Sequence, residues 1–218
     1  CGDFEPERVL EEIKKRLIEK KANGEIKRIY PVEPEEIVKE KIEQNMDVSQ
    51  PLFAIGIKDK IADVKERVRK HIAIEILLNM LIGKSSKLYK ELYDEGLLFA
   101  VPSLDYEFAR GYAHVLITGQ SVEPEKVYEK FKKAVEEMKV SAIDAKEFNR
   151  IKKRIYGEYV KEYNDVEDIA RMFLADYFKE INSFEYLEEI STINEQYVEQ
   201  ILKQVFDDKK MVISVIKK

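Results

Sequence analysis

Residues 83–99 read Gly-Lys-Ser-Ser-Lys-Leu-Tyr-Lys-Glu-Leu-Tyr-Asp-Glu-Gly-Leu-Leu-Phe, and this stretch does most to decide the fold. A long apolar helix precedes it, and Gly83 is placed to stop that helix. Ser85 or Ser86 can cap a second, short helix, because a serine hydroxyl accepts a hydrogen bond from a free N–H of the first turn. Gly96 then ends the second helix, and an apolar strand follows. The stretch therefore predicts a helix–cap–helix–strand connector.

On both sides of the connector, regularly spaced apolar residues predict further helices and strands. Upstream, a buried strand over Leu52–Ile57 precedes the long helix, which covers Ala62–Ile82. Downstream, Leu97–Tyr106 and Gly111–Gly119 are predicted to form an antiparallel hairpin. The remaining predicted elements are helices that begin at Pro124, at Ser141 with Asp144 as a capping box, at Val166, and at Thr192 with Glu195 as a capping box, and a closing strand over Met211–Ile216.

Hairpin strands and grouped helices indicate the fold class. We expect an α+β domain over residues 45–218, with a largely antiparallel sheet covered by helices. Residues 1–24 carry a separate helical stripe, from Pro6 to Lys21, and we interpret them as the final helix of a preceding domain or as an appendage. Residues 25–44 contain two prolines and many charges, which is typical of a linker, and we expect this linker to pass into an exposed strand.

The composition excludes several classes of function. The 218 residues carry a net charge of −5 with acidic and basic residues interleaved, which argues against nucleic-acid binding, since that needs a basic surface. No apolar run approaches the ~20 residues that span a bilayer. The single cysteine, Cys1, excludes an internal disulfide and favours a cytoplasmic location. Because the chain does not begin with Met, we expect it to be part of a longer polypeptide.

The sequence contains no recognisable catalytic or metal-binding motif. A zinc centre needs about three protein ligands at fixed spacing, but the two histidines, His71 and His114, lie on different predicted elements. We interpret His71 and Glu75 as an ion pair on a helix surface and His114 as a packed residue of a strand. No nucleophile elbow surrounds a serine, and no phosphate-binding loop ends at Gly83. We therefore predict no catalytic residue, no metal ligand and no cofactor in this chain.

Three segments together resemble the C-terminal half of the pitrilysin/insulinase zinc peptidases, in the bacterial type of that family. The connector, with Leu-Asn-Met-Leu-Ile before it, is similar to the family's helix that ends in glycine and is followed by Ser-Ser, Leu-Tyr-x-x-Leu and Gly-Leu. The N-terminal Cys-Gly-Asp-Phe-Glu-Pro-Glu-Arg-Val resembles the segment that joins the two halves of these proteins. Near the C terminus, Ile-Ser-Thr-Ile-Asn-Glu-Gln-Tyr-Val resembles the last helix before the closing strand.

The resemblance implies the fold shared with mitochondrial-processing-peptidase-like metallohydrolases and a place in a two-part enzyme. In that family two homologous halves enclose a peptide chamber, and an H-x-x-E-H motif in the N-terminal half holds zinc. This sequence lacks the motif, so the resemblance implies the inactive half, which closes the chamber and helps bind the peptide substrate. The implied partner is the zinc-binding half, either on the same polypeptide or as a homologous subunit, and the complete protein is expected to be a zinc-dependent peptidase.

The connector departs from the family pattern at two positions. Many members carry an arginine and, seven residues later, a tyrosine, which contact the substrate backbone. Aligned on Leu92 and Gly96-Leu97, these positions hold Tyr93 and Phe99 here, in a loop that is one residue shorter, so neither the guanidinium fork nor the phenol is available. The residues predicted to border the chamber or to contact the other domain are Ser85, Ser86, Tyr89, Tyr93 and Phe99.

Two alternatives remain. The missing arginine–tyrosine pair is consistent with a structural or binding module that uses the same fold without proteolysis. An unrelated α+β enzyme would need a catalytic constellation, and the sequence shows none. An H-x-x-E-H motif upstream of Cys1 would favour the peptidase over the binding module.

Overall fold

The computed structural model describes residues 1–17, 27, 29, 34–109 and 111–218. These residues contain five strands, eight α-helices and two short 3-10 turns. The strands are β1 (Lys41–Asn45), β2 (Leu52–Asp59), β3 (Ser103–Ala109), β4 (Tyr112–Gln120) and β5 (Met211–Lys217). The helices are α1 (Pro6–Arg16), α2 (Arg67–Ile82), α3 (Lys87–Asp94), α4 (Pro124–Val140), α5 (Ala145–Glu162), α6 (Val166–Phe178), α7 (Glu185–Thr192) and α8 (Glu195–Val205).

The five strands form one sheet in the order β1-β5-β2-β4-β3. Its central pairs are antiparallel, with Ile55 opposite Ile117 on one side and opposite Ile213 on the other. β3 and β4 pair as an antiparallel hairpin, and β1 alone runs parallel to its neighbour β5. The predicted α+β class with a largely antiparallel sheet is therefore confirmed.

The helices cover one face of the sheet. Alternate residues of β2 are fully buried (Phe53, Ile55 and Ile57), while the residues between them are only partly buried. This alternation is what a sheet with one packed face requires. α2 is the central helix of the layer, because it contacts β3 and the helices α3, α4, α5, α7 and α8. Its apolar residues are consequently buried on nearly all sides.

A buried ion pair fixes the start of α2 to the end of β2. Nζ of Lys70 lies 2.6 Å from Oδ2 of Asp59, and both side chains are almost completely shielded from solvent. The same ammonium donates to the carbonyl of Lys60 at 2.9 Å, and the hydroxyl of Tyr106 on β3 donates to Asp59 at 2.7 Å. Because each charge is hydrogen-bonded, the network ties α2, β2 and β3 together without an uncompensated group.

The connector is built as the sequence predicts. Gly83 follows α2, and a Cβ at this position would lie 2.5 Å from the carbonyl oxygen of Asn79, so only glycine fits without a shift of the backbone. Ser86 caps α3: its hydroxyl accepts a hydrogen bond from the N–H of Tyr89 at 3.0 Å. Gly96 adopts a left-handed conformation, with φ of 69°, at the position after the C-cap where glycine is favoured.

Other boundaries differ from the sequence predictions for local physical reasons. β3 begins at Ser103, and not at Leu97, because the N–H groups of Leu97 and Leu98 bond back to the carbonyl of Leu92 and close the end of α3. α5 and α8 are capped by Asp144 and Asn194, which lie three residues after Ser141 and two residues after Thr192, the predicted openings of these helices. Helix α7 was not predicted.

The N-terminal predictions are tested only in part. α1 ends at Arg16, and the predicted continuation to Lys21 and the stop at Gly24 lie outside the described residues. Most of the predicted linker, 25–44, also lies outside them. Its last four residues belong to β1, which pairs with β5 from Lys41 onward, and every residue of β1 is exposed. The expected passage into an exposed strand is therefore confirmed.

Candidate functional site

The five residues predicted from the connector do not converge on one site. Ser86 is buried as the helix cap, whereas the exposed Ser85 accepts a hydrogen bond from Nη2 of Arg150 at 2.6 Å. Tyr89 packs against the core, with its ring centre 6.2 Å from that of Tyr93. Tyr93 and Phe99 are the accessible members, at 55% and 60% exposed. The connector thus offers two exposed aromatic rings, and none of the five residues borders the cleft of about 370 Å³ that α3 and α4 line.

A polar cleft of about 500 Å³ lies beside β3, and we call it the β3 cleft. Its first wall is the strand itself, where four consecutive residues, Leu104–Glu107, all border the space. Successive side chains of a strand point to opposite faces, so four neighbours can line one cleft only where it runs along the backbone edge. Among the described residues, β3 is the last strand of the sheet and pairs only with β4. The cleft therefore opens onto an unpaired strand edge.

The second wall is formed by charged and amide side chains from α2 and α5. The guanidinium of Arg154 donates to Oε1 of Glu158 at 2.8 Å and to Oδ1 of Asn79 at 2.6 Å. The amide of Asn79 in turn donates to the backbone carbonyl of Glu75 at 2.9 Å. Lys179, directly after α6, also borders the cleft, and its ammonium lies 4.9 Å from the ring centre of Phe108.

Aromatic rings form the floor of the cleft. Nδ1 of His71 lies 3.1 Å from the hydroxyl of Tyr186, within hydrogen-bond distance, and the two rings meet edge to face. Tyr159 stacks on Tyr186 with ring centres 4.7 Å apart. Tyr106 and Phe108 complete the cluster around His71. His71 is thus held by Tyr186, and the predicted surface ion pair with Glu75 is wrong, because this face of α2 is covered by β3, α5 and α7.

Burial changes the protonation of two groups in the cleft. Burial, together with the positive charge of Lys179, lowers the pKa of His71 to about 4, so the imidazole is neutral near pH 7. Burial, and then the neighbouring carboxylate of Glu158, raise the pKa of Glu75 to about 7, against an opposing effect of Arg154. The cleft therefore holds one carboxyl group whose charge changes near neutral pH, which is typical of functional sites.

The side chains present do not form a metal centre. Within the described residues, no group of three His, Cys, Asp or Glu side chains is arranged to hold an ion. His114 lies on the sheet face opposite α2, since its neighbours Ala113 and Val115 point into the core, and its ring stacks on Tyr112. The two histidines are therefore separated by the sheet.

Sequence reasoning did not find the β3 cleft. Its residues come from positions 75, 105, 154 and 179, and only the three-dimensional fold brings them together. A local signal existed in part, because Arg154 and Glu158 are four residues apart, the spacing of neighbours on a helix surface. The spacing could not indicate that a strand edge lies opposite. None of the helices in the described part of the chain has the length and apolar character needed to cross a bilayer.

Comparison with known proteins supports the architecture over its full length. The chain is 26% identical to the uncharacterized zinc protease YmfH of Bacillus subtilis (strain 168), a match that covers 100% of this chain and 52% of that protein. A structure described as an M16-like peptidase from Alicyclobacillus acidocaldarius superimposes with a TM-score of 0.85 at 20% identity, covering 98% of this chain and 52% of the other. A protease from Helicobacter pylori gives a TM-score of 0.84 at 18% identity, covering 100% and 53%.

These relatives agree with the resemblance drawn from the connector and the two termini. This chain spans about half the length of the proteins that it matches. Residues 1–155 match the family described as the peptidase M16 inactive domain, a range that includes the connector, β3 and most of α5. The chain therefore belongs to the peptidase M16 inactive domain family, the C-terminal, non-zinc half of zinc-protease-like proteins.

Proposed function

We propose that this chain closes the peptide chamber of a zinc endopeptidase and helps to bind the substrate, without catalysing cleavage itself. The observation that supports this most is the β3 cleft, a polar groove open along an unpaired strand edge in a member of the M16 family. An extended peptide can add to such an edge through main-chain hydrogen bonds, while side chains across the groove select its sequence. The chain can then hold a substrate with no catalytic group of its own.

The proposed partner is the zinc-binding half, on the same polypeptide or as a homologous subunit. Every residue of α1 is exposed, although Val9, Ile13 and Leu17 give the helix one apolar side. An amphipathic helix normally buries that side against another element. Since the relatives are about twice as long, a second half of similar size is available to cover it. We accordingly assign residues 1–24 to the final helix of a preceding half, 25–44 to a linker and 45–218 to the inactive domain, with the last four residues of the linker joining the sheet of that domain as part of β1.

Zinc is proposed to lie in the other half, where it would supply a polarising centre for peptide-bond hydrolysis. The residues of this chain would then position the substrate beside it. A processing role for the complete protein is proposed on the family likeness alone, and a cytoplasmic location on the single cysteine. The connector residues Tyr93 and Phe99 are proposed to face the chamber, because they are its exposed aromatic rings.

Peptide cleavage and peptide binding test this proposal separately. We expect the isolated 218-residue chain to carry no stoichiometric zinc and to cleave nothing, and the complete protein with both halves to cleave unstructured peptides. In ¹⁵N spectra of the isolated chain, an extended peptide should shift the amide signals of β3. The same peptide with N-methylated backbone amides should not, since it cannot donate main-chain hydrogen bonds. Stoichiometric zinc on the isolated chain, or shifts that avoid β3, would contradict the proposal.

A structural or binding module without proteolysis is the second candidate. It is favoured by the replacement of the family's arginine and tyrosine with Tyr93 and Phe99. The two candidates differ in the complete protein: an H-x-x-E-H motif in the preceding half favours the peptidase, and its absence favours the module. If Tyr93→Ala and Phe99→Ala leave cleavage by the complete protein unchanged, these two rings do not border the working chamber.

A further inference from the structure

The β3 cleft contains a carboxylate without a partner. Among the described residues, the side chain of Glu75 takes part in no hydrogen bond and no ion pair, although it borders the cleft. Arg154, the nearest cation in the wall, directs its two terminal nitrogens to Glu158 and Asn79 instead. A partly buried carboxylate that has lost some of its hydration and gained no protein donor is less stable in its charged form than one in water. A cationic ligand group would remove that cost.

The rings beside Glu75 suit the same kind of group. Tyr159 is only partly buried, and its ring is held in place by the stacked Tyr186. Tyr159 and Glu75 border the same cleft, and burial, and then the carboxylate of Glu75, raise the pKa of the Tyr159 phenol, so the phenol stays neutral. A cation placed against an aromatic ring and a carboxylate is attracted to both.

The geometry of the strand edge determines how a cationic side chain of a bound peptide would reach Glu75. A peptide paired to β3 presents successive side chains to opposite faces of the sheet. Every second residue therefore points toward the face covered by α2 and α5, where Glu75 and Tyr159 lie. A long, flexible side chain can reach across the cleft while its backbone stays on the strand edge.

We infer that the β3 cleft selects extended peptides that carry a lysine or arginine, with the cationic side chain directed at Glu75 and Tyr159. This inference rests on the proposed peptide-binding function and names the class of peptide. The charged and titratable groups that border the cleft with Glu75 and Tyr159 are His71, Asp105, Tyr106, Glu107, Arg154, Glu158 and Lys179. Asp105 and Glu107 are exposed and alternate with the buried Tyr106, so their side chains lie on the face of β3 away from Glu75. Glu158 is paired with Arg154 and the ammonium of Lys179 lies over the ring of Phe108, so Glu75 is the carboxylate of this wall that is left for a positive ligand group.

Short labelled peptides test the inference directly. The probes are fluorescent heptapeptides of alternating threonine and valine whose central residue is lysine, arginine, norleucine or glutamate, measured by fluorescence anisotropy with the 218-residue chain. At about pH 8, where Glu75 is ionised, we expect the lysine and arginine peptides to bind about tenfold more tightly than the norleucine peptide. Below about pH 6 the preference should shrink, because the carboxyl group of Glu75 takes up a proton.

Single substitutions test which residues cause the preference for lysine over norleucine. Glu75→Gln should reduce the lysine-to-norleucine ratio to about twofold, since the attraction for the cation is lost while the strand edge is intact. Tyr159→Leu should reduce the ratio by a smaller factor. Glu129→Gln, which removes an exposed carboxylate on α4, is the matched control and should change nothing. Circular dichroism and the melting midpoint verify that each variant is folded.

The outcomes separate this inference from the proposed function. If all four peptides bind equally, strand-edge binding stands and the selection of basic side chains is overturned. A preference for the glutamate peptide also overturns it, in favour of Arg154 and Lys179 as the selecting groups. A lysine preference that survives in folded Glu75→Gln removes Glu75 from the site. If no peptide binds at all, the inference and the proposed peptide-binding function fail together.

Discussion

The connector and the β3 cleft both adjoin helix α2, yet the polar groups of the connector are hydrogen-bonded, whereas one carboxylate of the cleft has no partner among the described residues. In the connector, the hydroxyl of Ser86 is paired with the N–H of Tyr89, and the N–H of Leu97 with the carbonyl of Leu92. In the cleft, one turn before Asn79, the carboxylate of Glu75 has no such partner. Full pairing is what a structural joint needs, because any unmade hydrogen bond costs free energy. The unpaired group in the cleft indicates a place where a ligand can supply what the fold does not.

The largest expected effect comes from breaking the paired network that supports the cleft. Asp59→Ala leaves Lys70 buried without its counter-charge and removes the acceptor of Tyr106. Breaking such a buried pair costs about 3–5 kcal/mol, and we expect that loss in the free energy of unfolding measured by urea denaturation. Glu125→Ala, which removes the partner of Lys41 in a solvent-exposed pair, is the control. If the two variants lose the same stability, burial of the Asp59 pair is irrelevant.

Substitution of Glu75, the carboxylate without a partner in the described part of the chain, should have the opposite effect on the free energy of unfolding. The pKa of Glu75 is raised from 4.5 to about 7, so the native state holds this proton more tightly than the unfolded chain does. Stability contributed by the neutral form is therefore fully present below about pH 4.5 and is lost as the pH rises through about 7. Glu75→Gln, which cannot ionise, should be more stable than the parent by up to about 3 kcal/mol at pH 8.

Urea denaturation at two pH values checks this sign. The advantage of Glu75→Gln over the parent should be large at about pH 8 and small at about pH 4.5. An advantage that is equal at both pH values, or a variant less stable than the parent at the higher one, would mean that the carboxylate of Glu75 already has a partner.

Two glycines, Gly83 in the connector and Gly157 on the surface of α5, should respond in opposite ways to substitution by alanine. Gly83→Ala places a Cβ against the backbone of Asn79, and the forced shift should cost about 2 kcal/mol. Gly157→Ala is the matched control, since a Cβ on that position of α5 meets nothing within 4 Å. It should instead stabilise the protein by about 0.5–1 kcal/mol. Thermal unfolding of both variants measures the difference, and a stabilising Gly83→Ala would show that the joint has room.

The smallest effect separates the two serines of the connector. Ser86→Ala removes the cap of α3 and should cost about 1 kcal/mol. Ser85→Ala removes only an exposed acceptor of Arg150 and should change stability by less than about 0.5 kcal/mol. Equal losses in thermal unfolding would mean that the capping assignment is incorrect.

Local signals explain what could be predicted from the sequence. The end of α2 at Ile82, the cap at Ser86 and the stop at Gly96 depend on residues within a few positions of each other, and the structure confirms them. The predicted start of α2 at Ala62 was wrong, because a 3-10 turn over Val64–Glu66 precedes the helix, which begins at Arg67. The predicted start of β3 at Leu97 was wrong because two apolar residues in succession suit a strand as well as a helix end. In the structure, Leu97 is buried in the core together with Leu92, and its N–H closes the end of α3, so tertiary packing decides between the two uses of these residues.

The cleft could not be predicted because it depends on distant parts of the chain. Glu75 looked like a helix-surface residue, and only the packing of β3, α5 and α7 against α2 makes it half-buried. That burial raises the pKa of Glu75 and leaves it without the predicted ion pair to His71. The inferred preference for lysine and arginine side chains depends on both changes. The same packing turns His71 into a neutral, hydrogen-bonded floor residue. Where the fold alters the chemistry of a residue, its type and spacing are not sufficient.

The parallel pairing of β1 with β5 has a consequence for how the molecule folds. Lys41 lies opposite Ile213, so this pair joins nearly the two ends of the described domain, whereas β3 and β4 are separated by only two residues of the chain. Contacts between distant residues carry the larger loop-closure entropy and form late. β1 is also fully exposed, and little burial holds it in place. We expect its amides to exchange first with solvent, so that the sheet opens from this edge while the β3–β4 hairpin and the cleft remain intact.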